Sequence, residues 1–182
     1  TKLRGAFPEL SAKDCELVER GLRQFFLAGL NSRRKAVAMP SQVVDAMWHE
    51  FILHTRAYRA WCHATLGWFM HHTPAEIMGR DPKRNDALRR TWYWACRDES
   101  IQPQRPTRLP LLFALDTKLK IPGGFAYVPD CGTVRRASEG TPNCASDFSS
   151  SSFGGSGSDF GGADTSSHRA GDGDGGSGSN SD

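Results

Sequence analysis

VVDAMWHEFILHTRAYRAWCHATLGWFMHH, residues 43–72, decides how the chain is read. Stepped at 100° per residue, Val44, Met47, Trp48, Phe51, Thr55, Tyr58, Cys62 and Leu66 fall in one broad arc, which predicts the core face of a helix over about 42–65. Asp45, His49, Ile52, Arg56 and His63 form a narrower flanking stripe, while Glu50, His54 and Trp61 lie on the far side. The polar residues are therefore sorted by face. Trp48, Phe51 and Cys62 are expected as core anchors, joined by Trp92 from further along the chain.

Working outward, Ser11 with Asp14 three residues on has capping-box spacing and opens a helix whose stripe is Cys15, Val18, Leu22, Phe25, Phe26 and Leu30. That helix should end between Gly29 and Asn31. Pro40-Ser41 starts the quoted helix, and Gly67 ends it. Thr73-Pro74-Ala75-Glu76 signals a short helix stopping at Gly79, and Asp81-Pro82 a longer one over about 82–98 with Leu88, Thr91, Trp92, Ala95 and Cys96 inward. A Pro-rich connector from Ile101 to Arg108 leads to Leu109-Pro110 and a last helix carrying Leu111, Leu112 and Leu115, closed by the turn at Gly123-Gly124. Phe125–Val128 should be short and extended. The expectation is an all-α fold, a compact bundle of four to five helices.

Composition sets the boundaries. The helical domain should span residues 5–131, followed by a linker over 132–145. Residues 146–182 are nearly all Ser, Gly and Asp, with Phe148, Phe153 and Phe160 the large apolar groups. Such a stretch buries too little surface to offset its chain entropy and is expected to be a disordered tail. It carries six Asp against Arg169, while the chain is +3 overall, so the body holds about +8. Arg33-Arg34-Lys35, Lys83-Arg84, Arg89-Arg90, Lys118/Lys120 and Arg135-Arg136 are its basic clusters. A solvated surface accounts for these scattered charges, and nucleic-acid contact is the weaker reading.

Five cysteines without CxxC spacing, three of them on apolar stripes (Cys15, Cys62, Cys96), point to reduced core thiols and a cytoplasmic setting. Cys131 and Cys144 flank a loop. No apolar run approaches the ~18 residues of a membrane span. The chain begins at Thr1 and not Met, so an upstream anchor or leader stays open.

Three readings fit the flanking stripe, metal-free acid–base work by Asp45 and His49 being the weakest. Asp45 and His49 stand four apart and meet on one face. With His71 or His72 returning after Gly67, they form a metal-ligand set of two His and one carboxylate, suited to a divalent transition metal. Alternatively Asp45, His49, Thr55, Arg56, Tyr58 and His72 form a polar network that ties the helix to its loop, with Arg56 reaching Asp45 or an anionic substrate. Glu50 and His54 read as an exposed i,i+4 pair. No catalytic residue is assigned, and whether the protein is an enzyme is left open.

The run Val44-Asp45-x-x-Trp48-His49-x-Phe51, continued by Tyr58-x-x-x-Cys62 and Gly67-x-Phe69-x-His71-His72, resembles the glycine-rich domain-containing protein-like family. Its hallmark is a V-D-x-x-W-H-x-H helix followed by Y-x-x-x-C; here Phe51 stands where the second His is common. The resemblance implies a helical domain, with plant relatives linked to development, stress responses and RNA-associated roles, and it supplies no reaction. The leading expectation is a helical scaffold or interaction domain whose acidic tail is a flexible tether or engages a protein partner. A metal-binding protein or metal-dependent enzyme is the alternative, and an RNA-binding module the third.

Overall fold

The computed structural model describes residues 2–72, 82–129 and 143–144, with 82–85 and 143–144 described through the backbone alone. The expected short helix over 74–79, the side chains of Cys131 and Cys144, the linker and the tail lie outside the described residues. The described residues form helices α1 (Leu3–Ala6), α2 (Ala12–Asn31), α3 (Gln42–Leu53), α4 (Thr55–Thr65), α5 (Pro82–Asp98) and α6 (Leu111–Lys118). Two short strands, β1 (Tyr127–Val128) and β2 (Asn143–Cys144), pair in parallel. The protein is mostly helical, as its periodicity predicts. Among the described residues no helix is long and apolar enough to cross a membrane.

Local chemistry accounts for the boundaries. Ser11 Oγ accepts the Asp14 N–H at 3.2 Å and Asp14 Oδ2 accepts the Ser11 N–H at 2.9 Å, closing a reciprocal capping box that satisfies two donors at the start of α2. Ser41 caps α3 by accepting the Val44 N–H. Helix α1, four residues long, has no strong signal in the sequence, yet its Leu3 is buried in the core.

Helix α2 is the axis around which α3, α5 and α6 pack. It contributes Val18, Leu22, Phe25 and Phe26; Phe25 meets Trp48 of α3 with ring centroids 5.0 Å apart, and Trp92 of α5 meets Phe113 of α6 edge-on at 5.1 Å. Large apolar side chains of this kind contribute ~1.5–3 kcal/mol each when fully buried. Cys15, Cys62 and Cys96 are buried thiols within the same core. Thr91, on the inward stripe of α5, satisfies its hydroxyl on the Ala38 backbone, accepting from N–H at 3.1 Å and donating to the carbonyl at 2.8 Å.

One expectation is corrected. The helix predicted over 42–65 is two helices, broken at His54 (φ −82°, ψ 58°), whose N–H closes a tight turn onto the Phe51 carbonyl. The bend folds α4 back on α3, so that Phe51 packs edge-on against Tyr58 (5.1 Å) and Trp61 (5.3 Å). A straight helix would separate Trp48 from Tyr58 by the rise of ten residues, roughly 15 Å. The bend lets them hydrogen-bond. Leu53 is left 67% exposed at the corner.

Asp116 is the second organising feature. Buried in the last turn of α6, its Oδ1 accepts from Ser41 Oγ (2.7 Å) and Val43 N (3.2 Å), and its Oδ2 from Gln42 N (2.8 Å) and Phe125 N (2.9 Å). A carboxylate thus sits on the positive N-terminus of α3, where unpaired N–H groups favour an anion. Gly124 makes this possible: a Cβ there would stand 2.8 Å from Asp116 Cβ and 3.0 Å from the Ile121 carbonyl oxygen.

Candidate metal centre

Asp45 lies in the first turn of α3, where a carboxylate also complements the helix dipole, and His49 follows one turn later. The third member arrives from outside the helix. Gly67 ends α4 with a left-handed φ of 82°, a conformation in which its lack of a Cβ removes the steric penalty, and the chain then turns back along α3. The returning strand of chain is fastened by Tyr58, whose hydroxyl accepts from Trp48 Nε1 (3.1 Å) and donates to the Met70 carbonyl (2.6 Å). Burial pushes the Tyr58 hydroxyl well above the ordinary phenol range, so it stays a neutral donor.

Two residues beyond Met70, His72 lies against the Trp48 ring at 4.6 Å and the His49 ring at 4.2 Å. Its Nε2 hydrogen-bonds Asp45 Oδ1 at 2.8 Å, and His49 Nδ1 lies 3.7 Å from Asp45 Oδ2. Asp45, His49 and His72 each offer one ligand atom, all within 4.8 Å of one another. Around a transition metal with ligand bonds of ~2.0–2.2 Å, adjacent ligand atoms lie ~3 Å apart, so the set needs only a modest side-chain closure. The ring able to move is His49, 53% exposed, whereas His72 (11%) and Asp45 (27%) are held in place.

The residues named from sequence separate into groups. Asp45, His49 and His72 come together, while His71 is exposed with its ring on Phe69 at 4.8 Å. Thr55 and Arg56 are exposed on α4, because the break at His54 interrupts both the core arc that held Thr55 and the stripe that would have aligned Arg56 with Asp45. Asp45 has His49 and His72 as its ion partners. Glu50 lies 3.6 Å from Lys2, which precedes α1, and His54 occupies the corner. Trp48, Cys62 and Trp92 are buried anchors and Phe51 is half-buried among aromatic rings. Asp116 was not singled out in the sequence. Its one local signal is an acidic residue in the last turn of an otherwise apolar helix, where the dipole disfavours it.

No curated protein and no solved structure matches this chain. The UCP032817-like family, which carries no biochemical description, has a model that matches residues 1–148. That match takes in the whole of the described fold and the Asp45, His49 and His72 cluster, and on it the chain belongs to the UCP032817-like family.

Proposed function

We propose that this protein is a small helical scaffold that binds one divalent transition metal through Asp45, His49 and His72. The observation that carries the reading is the convergence of three ligand atoms within 4.8 Å. Two borderline imidazoles and a hard carboxylate suit Zn²⁺ or Fe²⁺, and three protein ligands leave room for water or a substrate group. The nitrogen of His72 that faces Asp45, Nε2, is the one placed to bind the ion. The resemblance to glycine-rich domain-containing proteins, a reducing cytoplasmic setting and a partner-binding role for residues 146–182 belong to the same proposal, with RNA contact its weakest part.

The test is elemental analysis and calorimetric titration of full-length protein purified without a histidine tag. About one equivalent of Zn²⁺ or Co²⁺ should bind, and metal at 100 times Kd should add ~2.7 kcal/mol of stability. Less than about a tenth of an equivalent, with no gain in melting temperature, overturns the metal reading. That outcome favours a second reading, supported by the 2.8 Å Asp45–His72 bond: the cluster is then a metal-free latch that holds the loop on α3.

A further inference from the structure

On the face of α2 away from α3, a groove of about 590 Å³ opens between α2, the turn after α5 and the start of α6. Its floor is a closed polar network. Gln24 donates to Asp98 and Glu99, each at 3.0 Å, and accepts the Leu112 N–H; Glu99 accepts from Leu111 N at 2.5 Å and from Arg108. The carboxylates of the floor are thus engaged. Above them the rim carries Arg20, Arg23 and Lys118, exposed and without a carboxylate partner among the described residues. Between the cations, half-buried Leu17, Leu27 and Leu109 leave apolar surface in the groove. A ligand for this face needs negative charge and large apolar side chains in alternation.

We propose that the chain's own segment 147–164 occupies this groove. It places Asp147, Asp159 and Asp164 among Phe148, Phe153 and Phe160 and contains no cation. The charges are complementary, and the rings match the leucine surface between the rim cations in kind. The attachment point is favourable as well. Strand β1, the partner of Asn143–Cys144, packs on α6 through Tyr127 and Phe113 at 5.0 Å, and α6 is itself a wall of the groove. Phe153 follows Cys144 by about nine residues, a reach of up to ~30 Å. Tethering at that length raises the local concentration of the segment to the millimolar range, enough for a weak contact to be populated.

The test uses the full chain with the photoreactive residue p-benzoylphenylalanine in place of Phe153, irradiated in dilute solution and mapped by mass spectrometry. The expected result is attachment within one chain, to α2 near Leu17 or Leu27 or to Leu109. It should fall about fivefold or more in the Arg20→Glu, Arg23→Glu double variant and in ~0.5 M salt, where exposed charges are screened. The variant alters exposed positions, and an unchanged melting curve certifies its fold. Attachment between two chains, to another face, or insensitive to both charge reversal and salt overturns the proposal.

Discussion

Trp48 donates its indole N–H to the Tyr58 hydroxyl at 3.1 Å, and that bond bridges the break between α3 and α4. The same hydroxyl holds the Met70 carbonyl, so one buried oxygen connects the helix that carries Asp45 and His49 to the loop that carries His72.

Tyr58→Phe keeps the ring and strands both partners, an indole N–H and a backbone carbonyl. Each unsatisfied buried group costs ~1–3 kcal/mol, so urea denaturation should show a loss of about 2–4 kcal/mol. Metal affinity should fall in parallel, because His72 follows Met70 by two residues. A variant as stable as the parent would show that the loop is held by other contacts.

Asp116→Asn exchanges an acceptor oxygen for an amide donor facing backbone N–H groups of α3 or the loop at Phe125. Charge-assisted bonds of this kind contribute ~1.5–3 kcal/mol each, so the expected loss is about 3 kcal/mol, with Asp116→Ala costing more. Thermal unfolding followed by circular dichroism measures it. The effect should persist in high salt, since the carboxylate is buried.

The centre predicts a contrast among its histidines. Loss of outer-shell partners alone lowers metal affinity ~10–100-fold, so removing the ligand in His49→Ala or His72→Ala should cost at least about 100-fold, while His71→Ala should bind as the parent does. His49→Ala should also melt without metal within about a degree of the parent, because its side chain is half-exposed. Equal effects at His71 and His72 would remove His72 from the assignment.

Cys96 should be chemically silent in the folded protein. Burial, reinforced by the Glu99 charge and opposed by Arg108, pushes its thiol up to about 12. The thiolate, the reactive form, is then roughly one part in ten thousand at pH 8. Alkylation by iodoacetamide, read by mass spectrometry, should be at least about 100-fold slower in native protein than in urea.

Glu99 gives the fold an acid dependence. Burial raises its carboxyl, but hydrogen bonds from the Leu111 N–H, Gln24 and Arg108 outweigh that effect and leave it below the ordinary carboxylate range. A depressed value means stabilisation present above the unfolded-state value of ~4.3 and lost as pH falls through the folded value. Denaturation midpoints should therefore drop on acidification below about pH 4, and Glu99→Gln should flatten that part of the curve.

Much of the architecture was legible because its punctuation is local. Ser11, Pro40-Ser41, Pro82 and Pro110 act on the backbone within a turn of themselves, and α2, α3, α5 and α6 begin where they stand. The break at His54 was not legible, since no Gly or Pro marks it and its cause is the contact of Phe51, Trp48 and Tyr58 across the bend. That omission carried Thr55 and Arg56 into the expected network. Asp45 and His49 were visible as an i,i+4 pair, and His72 became distinguishable from His71 only with the direction of the returning chain. Asp116 escaped notice because three of its four donors lie on residues 41–43, more than 70 positions earlier.

The Asp116 contact also imposes an order of events on synthesis. Helix α3 carries Asp45 and His49, but the carboxylate that completes its first turn lies 75 residues beyond Ser41. A chain emerging from the ribosome exposes both ligands, and then His72, well before the start of α3 can be locked. The three side chains should reach their final geometry only when α6 has been translated. The cluster should consequently be a late product of folding, and on the proposed metal reading an unfinished chain should trap ions less well than the completed one.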